Sequence, residues 1–215
     1  MFKRDIGRYK AWLIRQLENS AAQVRLNTPA TAELLEQGGY EHIILALGSR
    51  PLILPIPGVD HTVPATQVFG HEDALGGRVV IIGGGQVGAE TGIHLSDCGR
   101  DVTILEMREK IAPDAWFTYK WAMDIELNER ENLHCIVKGR CAKIEPDAVT
   151  YTDENGDTQV LRCDSVVLAA GMQGRTAEAE ALILPGVPFT LIGDCKKVGT
   201  VQQCTADAFD AAMNL

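Results

Sequence analysis

The chain has 215 residues, too many for one minimal module and few for two full-sized domains. Apolar residues make up 46% and charged residues 23%, a globular balance that excludes a disordered chain. Twenty basic against 29 acidic side chains leave a formal charge of −9, which repels phosphate backbones and anionic bilayers and so excludes a non-specific role at nucleic acid or a membrane surface. Glycine is enriched, at 21 residues, so some backbone is expected to turn sharply or approach a ligand closely. The longest apolar runs, Val79–Ile82 and Val166–Ala170, are strand-sized and far below the roughly 20 residues of a membrane helix. Met1–Asp5 leads into an amphipathic stretch and not a signal-peptide core. Six cysteines, at 98, 135, 141, 163, 195 and 204, form no C-x-x-C pair, so reduced, mostly buried thiols in a cytoplasmic protein are expected.

Along the chain, Ile6, Tyr9, Trp12, Leu13 and Leu17 recur at helical spacing, which predicts an amphipathic helix over 5–19. Val24–Leu26 reads as a short strand, and Thr31–Gln37 as a short helix closed by Gly38-Gly39. His42–Gly48 is an apolar strand ending in glycine, and prolines 51, 55 and 57 make the next segment an extended connection. Arg78–Ile82, a glycine turn, a helix over Gln86–Cys98 and a strand over Asp101–Glu106 make a βαβ unit whose all-apolar strands imply parallel pairing. A crossover helix is expected over Asp114–Glu129, with Trp116 and Trp121 packed in the core. Short strands follow near 133–137, 142–145, 148–152 and 158–162, the last two joined by an Asn155-Gly156 hairpin. Asp164–Gly171 repeats the apolar strand closed by glycine. The chain ends with a strand at Phe189–Ile192, Gly193-Asp194, and a helix over Val201–Leu215. The fold class is therefore α/β.

The stretch Gly83-Gly84-Gly85-Gln86-Val87-Gly88-Ala89-Glu90 carries the chemistry. Gly83, Gly85 and Gly88 satisfy G-x-G-x-x-G directly after a strand and at the opening of a helix. Gly83 serves the tight turn, Gly85 the approach to a pyrophosphate, and Gly88 the close packing of helix on strand. The helix N-terminus adds unpaired N–H groups and partial positive charge. Glu106 ends the next strand, roughly 20 residues on, where a carboxylate accepts from ribose hydroxyls. The same carboxylate repels a 2′-phosphate, so NADH is favoured over NADPH, although Arg108 offsets part of that repulsion.

Ile43–Pro51, the glycine turn, the strand ending at Gly171 and Thr190–Asp194 together resemble the two-dinucleotide-binding-domain flavoproteins. Val102–Met107 and Ile192–Lys197 are closest in wording to the C-terminal part of NADH:flavin oxidoreductases related to 2-enoate reductase and 2,4-dienoyl-CoA reductase. The resemblance spans essentially the whole chain. It implies a Rossmann-like, parallel-sheet nicotinamide domain over 73–172, inserted into an incomplete FAD domain formed by 1–72 and 173–215. It also implies hydride transfer from NADH to FAD in the parent enzyme, with an enoate or dienoyl-CoA type substrate. Cofactor contacts are implied at Gly48, Gly171 and Met107, with Gly193 and Asp194 meeting FAD at the start of the last helix. Glu90 stands where related reductases contact the nicotinamide carboxamide.

The family's opening glycine-rich FAD motif is absent from these residues, as are its FMN site and the four-cysteine 4Fe–4S motif, so the chain is expected to be part of a longer enzyme whose flavin domain is its partner. A sheet without its first strands exposes an edge that a second copy would cover. Histidines 42, 61, 71, 94 and 134 show no metal-ligand spacing, no metal site is expected, and no acid–base catalyst is evident or required. No Ser-His-Asp order or G-x-S-x-G elbow supports a hydrolase. Two rival readings stand beside this one. In the first the chain is a non-catalytic module holding ADP or NAD, as in members resembling trimethylamine dehydrogenase. The second is a pyridine-nucleotide disulphide reductase, whose C-x4-C pair is missing.

Overall fold

The computed structural model describes residues 4–215. Helix α1 (Arg4–Glu18) forms where the spacing predicts it, yet its apolar stripe is 38% exposed at Tyr9 and 47% at Trp12, without a described partner face. The strand expected at Val24–Leu26 does not form. Both Val24 and Leu26 face solvent, and three residues without a neighbouring ladder have nothing to pair with. Helix α2 (Ala32–Gly38) starts at Thr31, whose Oγ1 accepts from the Leu34 N–H, and stops at Gly39 in the left-handed region with φ 61°.

Strands β1 (Ile43–Leu45) and β2 (Ser49–Pro51) precede a proline-punctuated connection to β3 (Thr62–Pro64). The βαβ unit follows as β4 (Arg78–Ile82), α3 (Gln86–Asp97) and β5 (Asp101–Leu105). Next come α4 (Phe117–Asn128), β6 (Leu133–Ile136), and the meander β7 (Arg140–Glu145), β8 (Ala148–Thr152) and β9 (Thr158–Arg162). The chain closes with β10 (Ser165–Leu168), β11 (Met172–Gly174), α5 (Thr176–Glu180), β12 (Phe189–Leu191) and α6 (Val201–Met213).

The fold is α/β and Rossmann-like. Its central sheet has the order β3-β10-β4-β5-β6, and every pair is parallel. Alternate residues of its strands point to opposite faces, and both faces are dry. Val79, Ile81, Val102, Ile104 and Val167 pack against Ile93 and Leu95 of α3 and Met123 and Leu127 of α4. Val80, Ile82, Leu105, Val166 and Leu168 pack against Ile144 and Val149 of the meander. Two covered faces explain why the sequence reads as continuous apolar runs.

A separate small core gathers Ile43, Leu45 and Ala179 with Leu35, Leu47 and Leu191, where β1 pairs in parallel with β12. The sequence segments before and after the central sheet thus meet each other. Antiparallel pairing of β2 with β11 links this small core to the central sheet.

Two expectations about side chains need correction. Trp116 and Trp121 are 79% and 66% exposed, because Met123 and Leu127 already fill the inner face of α4 and Trp116 lies before its first turn. The thiols are free but not mostly buried. Cys163 and Cys195 are buried, whereas Cys98 and Cys135 are exposed. Among the described residues no helix is long and apolar enough to cross a membrane.

Candidate functional site

Gly83 follows β4 directly, its φ of 103° lies in the region open to glycine, and a Cβ there would stand 2.5 Å from the Ala169 carbonyl oxygen. A Cβ on Gly88 would stand 1.9 Å from the Gly83 carbonyl oxygen, so α3 packs directly on the turn. Gly85 differs from both. The nearest atom to a Cβ at that position is Arg108 Nη2 at 3.8 Å, an ordinary van der Waals contact, so a methyl would fit there without a clash. No side chain caps the start of α3, which leaves its first N–H groups without a side-chain partner at this spot.

Gly84 is fastened from two sides. Its N–H donates to Glu106 Oε2 at 2.6 Å, and its carbonyl accepts from the Ala112 N–H at 2.7 Å. Glu106 is 4% exposed, and its Oε1 accepts from the Arg108 N–H at 2.8 Å and from Arg108 Nε at 3.2 Å. Arg108 Nη1 in turn donates to Asp114 at 2.8 Å. A carboxylate with four lone-pair directions keeps acceptor capacity beyond these three bonds.

Above the turn lies a cavity of about 770 Å³. Its floor is Gly83, Gly85, Gln86 and Val87. Because β4 sits between β10 and β5, the ends of those neighbours form its flanks, with Ala169–Gly171 on one side and Leu105–Arg108 on the other. This is the carboxyl-end crevice at which open parallel sheets take ligands. Leu54–Pro57 and Gly139–Ala142 complete the wall. β7 shifts register between Cys141 and Lys143, a bulge at the point where it meets the cavity. Burial pushes the Cys141 thiol up to about 11, which keeps it protonated and unreactive near neutral pH.

Of the residues singled out in the sequence, Gly83, Gly85, Gln86, Val87, Glu106, Met107 and Gly171 line the cavity, with Gly84 and Gly88 packed beneath them. Glu90 lies further along α3. Its Oε1 accepts from the Tyr119 hydroxyl at 2.6 Å and from Gln86 Nε2 at 3.1 Å, so Gln86 ties it to the cavity. Burial, together with the Glu90 carboxylate, pushes the Tyr119 phenol well above its ordinary value.

Gly48, Gly193 and Asp194 belong to a different place. Asp194 accepts from Ser49 Oγ at 2.7 Å and from the Gly199 N–H at 3.1 Å, while the Gly193 N–H donates to Asp207 at 3.1 Å. Gly48 accepts from the Arg175 N–H at 3.1 Å. Gly193 and Asp194 do not open the last helix as expected. They form a separate 3-10 turn, and α6 starts at Val201 behind its own Thr200–Gln203 capping box. The Leu54–Pro57 and Gly139–Ala142 walls carry no local motif, and only the covering of both sheet faces brings them to the turn.

The family model for pyridine nucleotide-disulphide oxidoreductases matches residues 13–186. The bilirubin reductase of Mediterraneibacter gnavus is 30% identical over 98% of this chain and 33% of its own length. The cinnamate reductase of Clostridium sporogenes is 29% identical over 100% of this chain and 32% of its own length. Among solved structures, a 2-naphthoyl-CoA reductase superposes with a TM-score of 0.81 at 26% identity, over 91% of this chain and 30% of that one. The chain therefore spans about a third of the length of each of these three proteins.

Proposed function

Because the chain belongs to the pyridine nucleotide-disulphide oxidoreductase family, we propose that its cavity binds NADH within a longer flavin-dependent oxidoreductase. The observation that carries this reading is Gly85, which lines the cavity at a helix start without a side-chain cap, with no atom closer than 3.8 Å to its side-chain direction and the buried Glu106 carboxylate at the same rim. When bound, the nicotinamide would supply a hydride to an FAD, from which electrons would go onward one or two at a time to a flavin or cluster elsewhere in the longer protein. The residues present fit such a guest.

In this reading residues 73–172 form the nicotinamide domain, and 1–72 with 173–215 are FAD-domain segments. The parallel pairing of β1 with β12 supports joining the two flanks, whereas β3, which lies within 1–72, pairs with β10 in the central sheet and favours a first boundary nearer Pro51. Gly85 and the first N–H groups of α3 hold the pyrophosphate. Glu106 accepts from the ribose hydroxyls, and Gln86, Val87, Met107 and Gly171 shape the walls. Glu90, steadied by Tyr119 and Gln86, stands ready to orient the carboxamide. Gly48, Gly193 and Asp194 face the FAD side, where Ser49 and Asp207 currently occupy their polar groups. The cinnamate and 2-naphthoyl-CoA reductases support a conjugated acid or thioester as the final acceptor, in keeping with an enoate or dienoyl-CoA type substrate.

The test is calorimetric titration of the protein with NADH and NADPH. NADH should bind about tenfold more tightly, and Glu106→Gln, whose amide oxygen can still accept from the Gly84 N–H, should narrow that gap because the like-charge repulsion is gone. Equal or tighter NADPH binding removes the reading of Glu106. Binding of NADH or ADP without NADH oxidation by a flavin acceptor in the longer protein favours instead a non-catalytic nucleotide module.

A further inference from the structure

We propose that Asp114 is a specificity-determining residue, holding the Arg108 guanidinium so that it cannot serve a 2′-phosphate. The proposal rests on the reading that Glu106 faces the adenosine ribose. Arg108 is the cationic side chain beside the glycine turn, lining the cavity with Nη2 next to Gly85, while Arg140 lines the wall that β7 supplies. An arginine there ordinarily favours a phosphorylated ribose, since its planar fork matches phosphate oxygens. Here two of the three nitrogens of the fork are committed elsewhere, so it cannot turn as a bidentate pair. Nε bonds Glu106 at 3.2 Å and Nη1 bonds Asp114 at 2.8 Å, which leaves the group of three with one net negative charge.

Asp114 is delivered to this place by the loop after β5. Ala112 adopts φ 43° and bonds the Gly84 carbonyl, Ile111 is buried against Gly84, and Pro113 leads directly to Asp114. The Asp114 carboxylate itself is 87% exposed and carries none of the core, so it can be changed without touching the glycine turn. Glu106 cannot, because it also holds the Gly84 N–H. Asp114 is therefore the cleaner site to vary.

The experiment titrates NADH and NADPH into the parent protein, Asp114→Asn, Arg108→Met and the double variant. Asp114→Asn should tighten NADPH by about threefold or more, the range open to an exposed ion pair, with a smaller change for NADH. The gain should vanish in the Arg108→Met background. A gain shared equally by both nucleotides, no gain, or one that survives without Arg108 overturns the proposal. If NADH binds and only the selectivity fails to move, the site reading stands and this inference alone falls. If the parent binds neither nucleotide, both fall.

Discussion

Gly85 and Gly88 stand three positions apart in one turn and answer to different demands, so the same substitution should separate binding from folding. Gly85→Ala adds a methyl where the nearest atom is 3.8 Å away, and the fold should keep its melting temperature. NADH affinity should nevertheless fall more than about tenfold, roughly 1.4 kcal/mol, because the methyl enters the space the phosphates need. Gly88→Ala places a methyl 1.9 Å from a backbone carbonyl and should cost roughly 3 kcal/mol, seen as a drop of about 10 °C in Tm. Calorimetry and thermal melting on the two variants check both halves, and the reverse pattern would remove the assignment. This much of the site was legible in the sequence, because the turn's demands are local. The second task of Glu106, accepting from the Gly84 N–H, was not, since it depends on how the loop after β5 folds back. A further residue far from the cavity gives a pH signature. The Gly70 N–H and then His94 pull the Glu72 carboxyl from its ordinary 4.5 down to about 2. A depressed acid contributes its full share of stability above the ordinary value and loses it as pH falls through the folded one. The Tm gap between the parent and Glu72→Gln should be constant near about pH 6, shrink below about pH 4.5 and close near about pH 2.

At the level of elements, the strands most plainly legible were those long and apolar enough to be buried on both faces, β4, β5 and β10, and the shorter β1, β6 and β12 also form where the sequence places them. Asn155-Gly156 also declared its hairpin, with Gly156 at φ 86° and Asp153 Oδ1 accepting from the N–H groups of Asn155 and Asp157. β2, β3 and β11 could not be read. Each has three residues, β2 and β3 each end in proline, and their existence depends on a neighbour supplied from far away in sequence. The failed strand at Val24–Leu26 is the converse case, a plausible local pattern with no such neighbour. Helix α4 misled in another way, because aromatic residues at helical spacing say that a stripe exists but not which face the sheet will take. For α6 the local signal is strong, since Thr200 Oγ1 accepts from the Gln203 N–H and Gln203 reaches back to the Thr200 N–H at 2.8 Å. Thr200→Ala should therefore cost about 1 kcal/mol, measurable by denaturant titration, and an unchanged midpoint would show that α6 is held by packing alone.

For the molecule as a whole, the two cores are unequal. The central sheet is covered on both faces, while the β1–β12 pair has two strands and three fully buried apolar residues around it. Beside the smaller core the Gly193 N–H already bonds Asp207, and no second glycine-rich turn is present in these residues to take a diphosphate. A polypeptide of residues 1–215 should accordingly purify colourless while its central sheet stays folded. An absorbance spectrum decides the point, and a flavin band near one equivalent per chain would contradict it.

The pairing of β2 with β11 sets Pro51 opposite Met172, and the Leu52 N–H donates to the Gly171 carbonyl at 3.0 Å. The chain leaves for the central sheet and returns from it at neighbouring points. Everything between those points is a cassette on a two-strand neck, free to be lengthened, shortened or exchanged in evolution without disturbing the register of either flank. Gly48 and Gly171, each at positive φ, stand at the two ends of that neck, where only glycine turns the chain without strain.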